Sequence, residues 1–149
     1  MDQKEMVEYF KECIAKHYPG GFKDVAVPPP SFTSMNAEFM RIDPEVLVVE
    51  VKFPVAYESL NPFGNMQGGM IAAAVDNTIG SLSMIAGPVN FTRDLSLKYR
   101  NPVKGTYEFI TVKAELTGQK DRRLFFAAEV RDPEGTLLVN AKAMNWIVG

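Results

Sequence analysis

The first stretch of the chain alternates apolar and charged positions with a helical period. Phe10 and Ile14 share one face of residues 3–18, while lysine and glutamate fill most other positions, which predicts an amphipathic helix that covers another part of the protein. A Pro-Gly-Gly sequence ends this helix, and the prolines at 28–30 predict an extended linker. Residues 1–35 are therefore expected to be an N-terminal helix and a Pro-rich linker ahead of the main body.

From Ala37 onward the hydrophobic period changes to two, which is the pattern of half-buried strands. Apolar and polar residues alternate over residues 45–55, 94–100, 106–116, 124–131 and 136–148. Turn-forming sequences at 118–121 and 132–135 separate the last three of these segments, and short turns join antiparallel neighbours. The pattern predicts an antiparallel sheet.

Residues 68–86 are apolar nearly all round and too long for a strand. A helix of this length can span a bilayer, but Asp76 near its centre and its many small residues argue against a membrane span. The segment instead predicts a helix that is buried on most sides. We therefore expect one α+β domain over residues 1–149, in which a curved antiparallel sheet wraps one long central helix.

Such a sheet would leave strand edges exposed, and proteins normally pair or cover those edges. We therefore expect copies of the chain to join edge to edge, as a homodimer or as a homotetramer built from two dimers.

Composition excludes several kinds of site. The 149 residues include one histidine, His17, and one cysteine, Cys13, so an internal disulfide or a clustered Cys/His zinc site cannot form, and a Ser-His-Asp triad would need His17. The net charge of −2 has the wrong sign for a general nucleic-acid binder. The amphipathic N-terminus lacks the apolar core of a secretory signal, so we expect a cytoplasmic protein. From the residue counts, the net charge and the long helix we expect no metal, nucleic-acid or membrane partner.

Two features of the long helix suggest chemistry. Asp76 is its one ionisable residue, and a buried, unpaired carboxylate is more typical of a functional site than of a core; the alternative is that Asp76 faces water or caps a neighbouring element. Gly68 and Gly69 begin the helix, where free amides attract developing negative charge and can hold a carbonyl oxygen as it becomes an oxyanion. The alternative is an ordinary glycine-rich helix start.

These residues belong to a longer pattern. The pattern resembles the hotdog-fold acyl-CoA thioesterases in the order and spacing of Asn61, Gly64, the Met-Gln-Gly-Gly sequence at 66–69, Asp76, the segment 95–102 and Gly105. The closer match is to the branch that contains the phenylacetate-pathway (PaaI-like) and THEM-type enzymes. The resemblance runs from about Glu38 to Val148, and it implies a hotdog fold and hydrolysis of an acyl-CoA thioester to a free acid and coenzyme A.

The resemblance also implies roles for single residues. Asp76 would be the general base or nucleophile, Gly68 N–H and the Asn61 amide would polarise the thioester carbonyl, and Thr92 would orient the attacking water. The family builds this site across a dimer interface, so Asn61 and Gly68 of one subunit would face Asp76 and Thr92 of the other. Most of the branch has histidine where this chain has Gln67, which can donate a hydrogen bond but cannot transfer a proton.

Further residues are candidates for binding the substrate. Coenzyme A carries phosphates, so cations should surround the site, and the candidates are Arg93, Lys120, Arg122 and Arg123. Gly69, Phe63 and Met66 are candidates for contacts with the acyl group and its carbonyl. The alternatives are solvated surface charges for the cations and ordinary core packing for the apolar residues. No cofactor is expected, because coenzyme A enters as part of the substrate.

Two other functions fit the same fold. A non-catalytic acyl-CoA or lipid carrier would use the slot without turnover, and Gln67 keeps this alternative open. A hotdog hydratase or dehydratase would need a catalytic histidine, and His17 lies outside the hotdog segment.

Overall fold

The computed structural model describes residues Met1–Gly149 and contains one antiparallel sheet and one long helix. The strands are β1 (Glu38–Asp43), β2 (Val48–Pro54), β3 (Asn90–Tyr99), β4 (Phe109–Lys120), β5 (Arg123–Arg131) and β6 (Leu137–Ile147), in the spatial order β1-β2-β4-β5-β6-β3. The helices are α1 (Gln3–Ile14), α2 (Pro30–Thr33) and α3 (Gly68–Ala86), with 3₁₀ turns at Ala15–His17 and Tyr57–Ser59. This is the predicted hotdog architecture.

The sheet curves around α3. The helix contacts five strands, β2 to β6, and strands lie about 4.8 Å apart, so a flat sheet would be too wide for one helix of about 10 Å diameter to reach them all. Ala74, Val75 and Leu82 are fully buried on its sheet-facing side. The helix is long and apolar enough to cross a membrane, and here it forms the centre of the protein core.

Strand boundaries differ from the predicted ones where the sheet is irregular. β3 begins at Asn90 rather than at residue 94, because a bulge between Thr92 and Asp94 interrupts the alternation. β4 continues to Lys120 past a second bulge between Leu116 and Gly118. The predicted turn at 118–121 is therefore wrong: the strands join over residues 121–122.

The N-terminal segment is part of the core and not only a linker. Phe10, Ile14 and Phe32 are buried, and the rings of Phe10 and Phe32 lie 5.1 Å and 4.8 Å from the ring of Phe39 on β1. The Gln3 side chain donates to the Phe39 carbonyl and accepts from its amide, at 2.8 Å each. The segment therefore covers part of the β1 edge.

The opposite edge of the sheet is open. β3 is ten residues long and pairs with β6 on one side only. Its other side presents unpaired backbone donors and acceptors, which is the geometry that pairs with another strand.

Because the N-terminal segment packs on the sheet, removal of one of its aromatic rings should strongly destabilise the fold. We expect Phe32→Ala to destabilise the fold by about 3–5 kcal/mol, because Phe32 packs on both Phe39 and Phe53. Urea denaturation measures this value. Phe63→Ala is the matched control: Phe63 is 87% exposed, so its loss should change stability by less than about 0.5 kcal/mol. A similarly small effect at Phe32 would contradict the packing.

Candidate active site

The loop before α3 is shaped by the side chain of Asn61. Its Oδ1 accepts hydrogen bonds from the amides of Phe63 at 2.9 Å and Asn65 at 3.1 Å. Gly64 has a φ of 80°, a conformation that favours glycine. Because Oδ1 holds the loop, the Nδ2 amide group is the part of the Asn61 side chain that remains available to a ligand.

A second segment fixes the position of this loop. The Met66 amide donates to the Val103 carbonyl at 2.8 Å, and the Gly105 amide donates to the Gly64 carbonyl at 2.9 Å. A Cβ atom on Gly105 would lie 2.5 Å from that same Gly64 oxygen. The close approach of the two backbones therefore requires glycine at 105.

The first turn of α3 leaves two amides free. The amides of Met70 and Ile71 donate to the Gln67 carbonyl, whereas those of Gly68 and Gly69 have no acceptor within the chain. The open end of a helix favours an anion or a developing oxyanion. The glycine pair predicted these free amides, and their role toward an oxyanion stays a prediction.

Tyr99 supports this helix start, and sequence reasoning missed it. Its hydroxyl donates to the Gly68 carbonyl at 2.7 Å, and its ring lies 3.4 Å from where a Gly68 Cβ would be. Burial raises the pKa of Tyr99, so the phenol stays protonated near neutral pH and keeps this hydrogen bond. The sequence signal for Tyr99 was its place within the segment 95–102, which is part of the family resemblance.

Asp76 and Thr92 meet within one chain. The Thr92 hydroxyl donates to Asp76 Oδ1 at 2.8 Å, which joins α3 to the open edge strand β3. Asp76 is half-buried, and its Oδ2 has no partner in the chain. The carboxylate is therefore oriented through one oxygen and available through the other.

A cavity of about 440 Å³ lies beside this pair. Its lining comes from the N-terminal segment, α3, β1, β3 and β6, and includes Tyr18, Pro29, Met84, Phe91 and Asn145. Ser31 and Asn77 join the N-terminal segment to α3: the Ser31 hydroxyl donates to Asn77 Oδ1 at 3.0 Å, and Asn77 Nδ2 donates to the Ser31 carbonyl at 3.1 Å. The segment forms one wall of the cavity.

Asn61 and Gly68 line a different cavity, of about 330 Å³, together with Met66 and Tyr99. Gly68 and Asp76 are eight residues apart on α3, which is about 12 Å along the helix axis. The structure therefore pairs Asn61 with Gly68 and Asp76 with Thr92, and one chain does not bring the two pairs together.

The remaining candidate residues have different surroundings. Phe63, Gln67 and Gly69 are exposed, and Met66 is buried. Arg93 lies 4.5 Å from the centre of the Trp146 ring, and Arg122 Nη2 donates to the Gly149 carbonyl at 3.0 Å. Lys120 and Arg123 are exposed on the same β4–β5 hairpin as Arg122. Because Trp146 pairs in register with both Arg123 and Phe91, the next residue to Thr92, these cations lie at the Thr92 end of the sheet.

Comparisons with known proteins agree with this architecture. The model of the thioesterase superfamily matches residues 63–139, slightly more than half of the chain. A putative thioesterase of Ralstonia eutropha JMP134, a phenylacetic acid degradation-related protein, is similar with a TM-score of 0.77 and 21% identity over 93% of this chain and 99% of that one. A hypothetical thioesterase of Streptococcus pneumoniae TIGR4, solved with coenzyme A, has a TM-score of 0.73 and 23% identity over 80% and 92%. The Escherichia coli PaaI protein from the phenylacetic acid degradation operon has a TM-score of 0.77 and 11% identity over 94% and 96%.

The contact between the two backbones predicts that Gly105 is sensitive to substitution. We expect Gly105→Ala to lower stability by about 1–3 kcal/mol, because the added methyl group must displace the Gly64 carbonyl. Gly69→Ala is the control, since a Cβ there meets nothing within 4 Å. Urea denaturation of both variants checks this prediction. Equal stability of the two variants would show that the loop is not held in this way.

Proposed function

The chain belongs to the thioesterase superfamily, and we propose that it hydrolyses an acyl-CoA thioester to a free acid and coenzyme A. The observation that carries the proposal is the Asp76 carboxylate, held by Thr92 with one oxygen free at the edge of a cavity. The expected cytoplasmic setting fits this substrate and remains part of the proposal.

Asp76 would act on the nucleophile. As general base, its free oxygen takes a proton from water while the water oxygen bonds to the acyl carbon. The C–S bond then breaks, and the proton passes from Asp76 to the coenzyme A sulfur. A direct attack by Asp76 would instead break the C–S bond, release the coenzyme A thiolate and form a transient anhydride, which water hydrolyses to the free acid and the Asp76 carboxylate. The Thr92 hydrogen bond holds the carboxylate in place in both cases.

The helix start would act on the carbonyl oxygen. The Gly68 amide has no acceptor within the chain, and Asn61 Nδ2 is left available by the loop contacts of Oδ1. Two such donors stabilise the negative charge that develops on a thioester oxygen, and one donor is typically worth about 2.7–4 kcal/mol of the barrier. Exposed Gln67 can add a hydrogen bond but no proton transfer.

A complete site requires two copies of the chain in this proposal. The 12 Å separation along α3 keeps the two residue pairs apart in one copy, and the open edge of β3 offers a surface for a second copy. We propose a homodimer, alone or within a homotetramer, in which Asn61 and Gly68 of one subunit face Asp76 and Thr92 of its partner.

Cationic side chains would bind the phosphates of coenzyme A. Arg93, Lys120, Arg122 and Arg123 lie at the Thr92 end of the sheet, and guanidinium groups suit phosphate recognition. That the related Streptococcus pneumoniae protein was solved with coenzyme A supports this class of ligand. The acyl group would occupy the cavity beside Asp76.

A carrier without turnover is the second candidate. Gln67 favours it, because this position offers no titratable group. Calorimetry and a thiol-release assay on a panel of aryl- and fatty-acyl-CoA esters separate the two functions. Binding without release of the thiol would identify a carrier.

Removal of the Asp76 charge should abolish most of the activity. We expect Asp76→Asn to lower kcat by at least about a hundredfold, because the amide cannot accept the proton. Asp94→Asn is the matched control, an exposed carboxylate two residues beyond Thr92 on β3, and should keep wild-type kcat. The thiol-release assay on the best substrate measures both. An Asp76→Asn variant as fast as the wild type would refute the assigned role.

Removal of the Asn61 donor should affect turnover more than folding. Asn61→Asp retains the oxygen that accepts from Phe63 and Asn65 but replaces the Nδ2 donor, so we expect kcat to fall by about 10²–10³ with the melting temperature nearly unchanged. Asn65→Asp places the same charge in the same loop and serves as the control. If both variants lose activity equally, charge rather than the lost donor is responsible.

A further inference from the structure

Asn145 is a buried polar residue that the mechanism above does not use. It lies on β6 directly opposite Thr92, is 2% exposed, and lines the same cavity as Asp76. Its Oδ1 has no hydrogen-bond partner. Leaving a buried carbonyl oxygen without a hydrogen-bond donor is unfavourable, so this atom is a candidate to bind a ligand.

The orientation of the Asn145 amide follows from its neighbour. Asn90 Nδ2 donates to the carbonyls of Ser83 at 3.1 Å and Pro88 at 2.9 Å, which uses both of its hydrogens and leaves Asn90 Oδ1 as an acceptor. Asn145 Nδ2 donates to that oxygen at 2.8 Å. The Asn145 amide must therefore present its NH₂ group to Asn90 and keep its oxygen for another partner.

The serine and threonine hydroxyls that line the cavity already donate to other acceptors. The hydroxyl of Thr92 donates to Asp76, that of Ser81 to the Asn77 carbonyl, and that of Ser83 to the Gly80 carbonyl. Asp76 Oδ2 and Asn145 Oδ1 are thus two acceptors without donors along one cavity. A group that donates hydrogen bonds is the complementary ligand.

We propose that Asn145 Oδ1 binds an O–H group that is held beside Asp76 in the cavity. Two sources share this chemistry: the water that attacks the thioester and a hydroxyl on the acyl group. The water has two hydrogens, so it can donate one to Asp76 and the other to Asn145. In that case its oxygen bonds to the acyl carbon, and Asp76 takes the first proton. The C–S bond then breaks, Asp76 passes that proton to the coenzyme A sulfur, and the second proton stays on the acid product. This inference rests on the proposed hydrolysis.

Competition between water and methanol tests the first source. Methanol has one O–H, which Asp76 uses, so its attack cannot engage Asn145. In Asn145→Ala we expect hydrolysis to slow by about tenfold while methanolysis slows less, so that the ratio of methyl ester to free acid rises several-fold. Asn145→Ser differs from Asn145→Ala by a single hydroxyl group, which can donate to Asn90 and accept from water. It should restore an ester-to-acid ratio near the wild-type value.

Paired substrates test the second source. Butanoyl-CoA and 3-hydroxybutanoyl-CoA, and hexanoyl-CoA and 6-hydroxyhexanoyl-CoA, differ by one hydroxyl group. If that hydroxyl is the donor, Asn145→Ala should lower kcat/KM for the hydroxylated member by about tenfold relative to its partner, with an unchanged ester-to-acid ratio. Calorimetric Kd values for the same pairs measure the preference for the hydroxylated member independently of catalysis.

The inference would be overturned if a folded Asn145→Ala protein left unchanged both the ratio of methyl ester to free acid and the kcat/KM ratios of both substrate pairs. Should Asn145→Ala fail to fold, Asn145→Leu removes the oxygen while filling the volume and gives the same readouts. If Asp76→Asn loses activity but the Asn145 variants leave all of these ratios unchanged, this inference is overturned and the proposed hydrolysis stands. A wild type without turnover would refute the proposed hydrolysis, and an unchanged ratio of Kd values would then overturn this inference as well.

Discussion

The rigidity of α3 is the constraint on which the rest of the candidate site depends. One straight helix carries both the free amides at Gly68 and the carboxylate of Asp76, and eight residues of α-helix hold them about 12 Å apart. The helix is enclosed by five strands, so bending it would disrupt the core. The free amides and the carboxylate must therefore each be positioned by local contacts. In the proposed mechanism they meet at one thioester only if a second copy supplies the missing half.

The helix start and the Asp76 carboxylate are positioned by different contacts. At the start of α3, Asn61 closes its own loop, Gly105 lets a second backbone reach Gly64, and Tyr99 supports the first turn. At Asp76, a single hydroxyl of β3 orients the carboxylate, and the N-terminal segment supplies a wall. The bulge after Thr92 lies where the open edge strand β3 meets the Asp76 carboxylate. Thr92 and the open edge of the sheet therefore belong to the same strand.

The sequence predicted what local patterns and spacing can report. The long apolar helix, the hairpins and the glycine helix start follow from periodicity and turn chemistry, and the roles of Asp76 and Thr92 came from a family resemblance. The rest depends on contacts between distant residues. Phe10, Phe32 and Phe39 pack together without sharing any period, and Asn145 gains its free oxygen only because Asn90, 55 residues away, fixes its amide. The irregular register between Phe39 and Arg41 likewise concealed β1.

The most direct test of the account is complementation between two inactive variants. Asp76→Asn and Asn61→Asp subunits, co-expressed with different tags and purified as the mixed dimer, would contain one intact site and one doubly substituted site. A site shared between copies predicts about half of the wild-type kcat per dimer, as two-fold symmetry requires, although each variant alone is nearly inactive. A mixed dimer as inactive as its two parents would contradict a site shared between copies.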